Sequence, residues 1–289
     1  MKTSHRHLLV ALLFLLAVSA LPSSLRAQAS KIFVASIGND ANDGSRGSPK
    51  RNFQAAHDAV AAGGQIVVLD TAGYGTLNIS KSLSVTVPPG VNGFITAIGN
   101  ANGVTIEGAS KVGVVLRGLI IEGGGQNAGV GIYASSAANL VIEGCTIRNF
   151  IWGVFQTTAD SSTSLSDCVL LGCSRGLYLQ SLNGSATANV NHCRFELNGR
   201  EGITVFANPS AGPTITAADS LCYRNNTGIA VTGMGATAKA SVLVSNCVIT
   251  DNATGILASS SGAFVLSRGN NTLSNNAAGS AFTGTYGAQ

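Results

Sequence analysis

The chain has 289 residues, of which 10% are charged and 45% hydrophobic, with 36 glycines, six cysteines and a formal net charge of +4. Low charge combined with abundant Gly, Ser, Asn, Thr, Val and Ile suits an all-β protein rich in turns. It excludes the basic footprint of a nucleic-acid or anionic-membrane binder, and no Cys/His cluster has zinc spacing.

In chain order, the first feature is a leader. Lys2 and Arg6 precede an unbroken apolar run over residues 8–18, which is too short to span a bilayer. Ala27, Gln28 and Ala29 then give small residues at cleavage spacing. The pattern predicts a secretory signal peptide over residues 1–29, with Ser30 as the new N-terminus. Removing Lys2, Arg6 and Arg26 from the 17 basic residues leaves 14 against 13 acidic ones, a net charge near +1. The expectation is a secreted or periplasmic protein with no membrane span in its mature chain and no nucleic-acid partner.

Residues 30–64 read as an entry strand, a Gly/Asn/Asp loop and a helix. The helix is predicted over residues 53–62, where Phe53, Ala56 and Val60 share one face, Pro49 and Asn52 stand at the start and Gly63 and Gly64 at the end. Such a helix would cover an open N-terminal coil, as solenoid ends require. His57 and Asp58 on it read as a solvated surface pair. Asp40, Asn42 and Asp43 have the character of a turn and lack the EF-hand spacing for calcium.

From residue 65 a repeat takes over, weak at first (apolar runs at 66–69, 83–87, 94–98, 104–107 and 114–121) and then strong. Gly131, Gly153, Gly176, Gly202, Gly228, Gly255 and Gly279 recur at intervals of 22 to 27 residues. A second column precedes them: Phe150, Cys173, Asn198, Asn225, Asn252 and Asn276. A third comprises Cys145, Cys168, Cys193, Ser220, Cys247 and Asn271. Each unit holds three short runs of period-two alternation and no helical stretch. Three strands and three turns in about two dozen residues make one coil of a parallel β-helix, stacked at the ~4.8 Å strand spacing. The spacing predicts nine or ten coils over residues 65–282, a tail over 283–289, and an interior file of Ile132, Val154, Leu177, Ile203, Ile229 and Ile256. Cys145, Cys168, Cys193 and Cys247 are expected to line the bore as thiols, with disulfides between neighbouring coils as the alternative. The Asn column suits a tight turn, through tolerance of the left-handed conformation and through coil-to-coil amide bonds. The short tail leaves poor capping, or a partner at the C-terminal coil, as alternatives.

The segment "FVASIGNDANDGSRGSPKRNFQAAHDAV" and the following "GQIVVLDTAGYG" resemble the entry and first coil of exported bacterial right-handed parallel β-helix proteins of the pectate-lyase-like (pectin lyase fold) superfamily. The resemblance spans residues 32–282. It implies an all-β right-handed parallel β-helix, a solenoid with an N-terminal capping helix, over residues 30–289. It also implies a glycan lying along the strand before the Cys column, bordered by the long turns at 156–162, 180–186, 206–213 and 232–240. Activity does not transfer with the fold. The Asn-Thr-Asp, Asp-Asp, Gly-His-Gly and Arg-Ile-Lys segments of polygalacturonases are absent, as is the dense acidic calcium cluster of pectate lyases.

One constellation remains. The residue before the Cys column reads Gly144, Asp167, His192, Asp219 and Asn246. In register, Asp167, His192 and Asp219 stand on three successive coils, an imidazole between two carboxylates suited to acid/base work. The same positions also suit a polar turn ladder. Arg194 and Asn246 are the candidate substrate contacts, Arg194 toward an acidic sugar. Trp152, Phe155 and Tyr178 read as core or ordinary surface, with sugar stacking as the alternative. No metal or cofactor site is read. The functional expectation is an exported protein that binds or modifies an extracellular polysaccharide; an enzymatic form would be lyase- or glycoside-hydrolase-like. The alternative is a non-catalytic surface or adhesion rod presenting loops to a partner.

Overall fold

One coil shows how the sequence builds the fold. In Ala137–Glu143, Leu140 and Ile142 face inward while Asn139, Val141 and Glu143 face out. A two-residue turn leads into Thr146–Arg148, which buries Ile147, and a second turn leads into Trp152–Gln156, which buries Val154. The computed structural model of the protein describes residues 28–125, 128–234, 239–279 and 281–287. The leader expected over residues 1–29 falls, but for its last two positions, outside the described residues.

Repetition of this coil gives three parallel sheets, a first of 11 strands, a second of 9 and a third of 8. Among the described residues eight coils supply a strand to every sheet, fewer than the nine or ten expected. The difference lies at the ends: Ala29–Val34 precedes the first full coil, and Ala263–Ser267, Thr272–Ser274 and Gly284–Thr285 follow the last. The inner file of the third sheet runs Leu77, Val104, Ile132, Val154, Leu177, Ile203, Ile229, Ile256 in unbroken register. All eight are at most 6% exposed. Burying each such side chain contributes roughly 1.5–3 kcal/mol.

The helix covers the N-terminal end, over Phe53–Ala59 rather than 53–62. Val60 is already extended (φ −75°, ψ 145°) and begins the strand Val60–Val68, so the chain passes from cap to first coil without a linker. The Asp40 carboxylate accepts from the Arg51 and Asn52 backbone N–H groups and from the Asn52 amide, so its oxygens are spent on fixing the helix entry. His57 is not a solvated residue as its sequence position suggested. It is 5% exposed, its Nδ1 bonds Asp58 at 2.9 Å and its Nε2 accepts from the Ser80 N–H, because the helix lies across the first coil.

Both short turns contain a left-handed residue. In the first it is Gly144, Asp167, His192, Asp219 or Asn246 (φ 49–60°); in the second Asn149, Gly172, Leu197, Arg224, Asp251 or Asn275 (φ 51–65°). The asparagine column therefore does not hold the left-handed position, which falls one residue earlier. Its role is the ladder. Asn198 Nδ2 donates to Asn225 Oδ1 at 2.8 Å, Asn225 to Asn252 at 3.1 Å and Asn252 to Asn276 at 2.9 Å. Each Oδ1 also accepts the backbone N–H of the preceding coil's column residue, and each Nδ2 bonds a strand carbonyl. The adjacent glycines make room for this. A Cβ on Gly228 would lie 2.7 Å from the Gly255 carbonyl oxygen and 3.2 Å from Asn252 Nδ2.

Asn225→Ala strips the acceptor from the Asn198 backbone N–H and from its side-chain amide. Each orphaned buried donor costs about 1–3 kcal/mol, so chemical denaturation is expected to show a loss of about 2–5 kcal/mol.

All six cysteines are buried free thiols. Four stand in the file that includes Ser220, Cys173 sits at the head of the asparagine ladder, and Cys222 follows Phe195 in the second sheet. Burial pushes Cys145, Cys173 and Cys247 up to about 11 from the ordinary 9.0. Each folded thiol thus holds its proton more tightly than the unfolded chain does. Stability is complete below the ordinary thiol range and is lost as pH rises from 9.0 toward about 11. Denaturation midpoints measured across that window should fall, while a thiol reagent at neutral pH should label all six cysteines only after unfolding.

Candidate functional site

The first turn creates a ridge along the molecule. Its left-handed backbone selects Gly, Asp, Asn and His, the residues that tolerate φ > 0 best. That conformational demand explains the residue types at Gly144, Asp167, His192, Asp219 and Asn246. Successive turns are tied by backbone bonds, from the Asp167 N–H to the Asn191 carbonyl (3.1 Å), from His192 to Ala218 (3.3 Å) and from Asp219 to Ser245 (3.1 Å). Each side chain is exposed and projects from its own coil.

Part of the ridge forms an open cavity of about 560 Å³ lined by His192, Arg194, Asp219, Leu221, Asn246 and Val248. Four of the five residues singled out from the sequence meet here; Asp167 stands one coil away, outside the lining. Asn246 Nδ2 donates to Asp219 Oδ1. Among the described residues no hydrogen bond joins the His192 ring to Asp167 or Asp219. Arg194 is tied to Glu196, with Nε and an Nη both near one carboxylate oxygen at 2.7 and 2.6 Å. Leu221 and Val248 stack beside Arg194 in register and form an apolar floor.

Sequence reasoning missed Glu196, Leu221 and Val248. For Leu221 and Val248 the signal was available: the Cys column faces inward, so alternation sends the next residue outward, giving Val169, Arg194, Leu221 and Val248 as one outer file.

The outer face of the first sheet, where the resemblance places a glycan, is largely hydroxyl and amide. Ser162, Thr187, Thr214, Ser241 and Phe264 form one of its files. A cavity of about 520 Å³ on this face is lined by Thr214, Lys239, Ser241 and Phe264, among others. Residues 235–238, part of the fourth long turn, lie outside the described residues. On the third sheet Phe155 packs between Tyr133 (5.6 Å) and Tyr178 (5.1 Å), with Trp152 stacked on it at 5.4 Å. Arg175 covers the Tyr178 ring and pairs with Glu201. These half-buried rings are occupied with one another. Among the described residues no group of three or more His, Cys, Asp or Glu side chains is placed to hold a metal ion, and no helix is long and apolar enough to cross a membrane.

Comparison with known proteins agrees with the architecture. No curated protein matches the chain. A solved structure, that of a rhamnogalacturonan lyase, superposes with a TM-score of 0.55 at 11% identity, covering 82% of this chain and 72% of the other. At that identity the likeness speaks for the fold alone. The family model described as "Right handed beta helix region" matches residues 94–241, half of the chain and the whole centre of the stacked coils. The chain belongs to this right-handed β-helix family.

Proposed function

We propose that the protein is exported and binds an extracellular polysaccharide along its turn ridge. One observation carries this reading: exposed side chains from three successive coils converge on a single open cavity with an apolar floor. A chain of sugars needs such an elongated arrangement, repeated along one axis and offering hydrogen bonds around an apolar contact. The likeness to an enzyme named as a rhamnogalacturonan lyase supports the carbohydrate class. Asp167, His192 and Asp219 would carry any acid/base step, and Arg194 and Asn246 would contact the glycan. A second reading, binding without turnover, is favoured by the hydrogen bond that engages Asp219 with Asn246 and by the backbone demand that already accounts for these residue types.

The test is a panel of polysaccharides assayed for binding and for release of unsaturated or reducing ends. His192→Asn is the matched variant, because Asn keeps the left-handed position at little cost. A β-branched His192→Val would instead destabilise the fold by roughly 1–2 kcal/mol. Binding to at least one glycan is expected, weakened about three- to tenfold in His192→Asn. A fall in product release of about a hundredfold or more would add the acid/base role. Binding with no product would leave a lectin-like protein, and absence of any binding would refute the reading.

A further inference from the structure

We infer that the ridge cavity is built for an uncharged glycan and that Glu196 sets this preference. The inference rests on the polysaccharide reading above and names its substrate class.

Arg194 is the one permanently cationic residue lining the cavity. It is the group an acidic sugar would seek, yet both contacting nitrogens converge on Glu196 Oε1. The two residues lie two apart on Arg194–Glu196, so period-two alternation puts both on the outer face and makes the pair a local property of the strand. Glu196 is the better buried partner, its side chain 14% exposed against 59% for Arg194. The pair cancels its own charge. What remains in the cavity is the Asp219 carboxylate, whose side-chain partner among the described residues is the neutral Asn246 amide. An anionic sugar entering here meets uncompensated negative charge, an arrangement that selects against it.

An uncharged sugar finds the opposite. Leu221 and the 38%-exposed Val248 offer an apolar floor for a ring face, and His192, Asp219 and Asn246 offer donors and acceptors for hydroxyls. The strand ends Ser166, Asn191, Ala218 and Ser245 carry no charge; the next member of that column, Arg268, is exposed with no acidic partner among the described residues but lies outside the cavity lining. Two further arginines on strands of these sheets are also neutralised, Arg117 by Glu143 at 2.6 Å and Arg148 by Glu122 at 2.9 Å, whereas Arg224, in the turn after Leu221–Tyr223 and outside the cavity lining, lies over the Tyr223 ring with no acidic partner among the described residues. Exposed pairs like these add little stability, but they set the field a ligand meets.

The test titrates three probes at neutral pH and low salt: a galacturonic-acid oligosaccharide, its methyl ester, which keeps the backbone and removes the charge, and the best neutral member of the panel. Wild type and Glu196→Gln are compared after matching their thermal unfolding. In wild type the uncharged probes should bind at least about fivefold more tightly than the acid. Glu196→Gln should free Arg194 and raise affinity for the acid about fivefold, in a salt-dependent manner, with the uncharged probes changed less than about twofold. Wild type binding the acid as well as or better than the uncharged probes would overturn the inference and leave the polysaccharide reading standing. An unchanged acid-to-neutral ratio in Glu196→Gln would remove Glu196 as its determinant. Binding of no glycan of either kind would sink both.

Discussion

The separation of successive coils, fixed by backbone hydrogen bonding at about 4.8 Å, governs the rest of this molecule. At that distance any side chain repeated once per coil contacts its own counterpart above and below. Isoleucine becomes a continuous apolar file, asparagine a continuous amide ladder, and glycine the residue that lets one coil's backbone pass within reach of the next. Each is a neighbour effect, so the coil has little meaning alone and the stack supplies its stability. The asparagine ladder is the strictest of these. Its amides join backbone and side-chain groups of adjacent coils inside a buried turn, where an unmet donor is expensive.

Much of this was legible in the sequence because stacking forces repetition. The interior file, the three strands per coil, the buried thiols and the N-terminal helix all leave periodic or amphipathic traces. Other features leave none. The helix stops at Ala59 because Val60 must pair in the first sheet, which its helical spacing does not disclose. His57 is buried against Ser80, the residue after the strand Leu77–Ile79, a tertiary fact. The sequence pattern puts the left-handed residue one position late, because Asn suits both the ladder and the bend, and only backbone angles separate Asn225 from Arg224.

The candidate site was read less completely, for a related reason. The ridge residues Asp167, His192, Asp219 and Asn246 were found from their column, and the column is explained first by backbone conformation. Beyond that conformation, exposed side chains of neighbouring coils share a cavity at His192, Asp219 and Asn246 with Arg194. Glu196 lies outside every column that the sequence marks, yet it decides the charge that Arg194 presents. On the proposed reading, selectivity is carried by a residue that breaks the repeat, while the residues that keep it hold the scaffold.

Hydrogen exchange bears most directly on the stacked turn. The backbone N–H groups of Cys173, Asn198, Asn225 and Asn252 sit in turns, where exchange is ordinarily fast, but each donates to the side-chain amide of the next coil's asparagine. Native-state exchange should protect these four amides as strongly as those of Ile203 and Ile229 in the core strands, so that they open only with global unfolding. Exchange at the rate of a surface loop, with the core strands still protected, would contradict a structure held together through its turns.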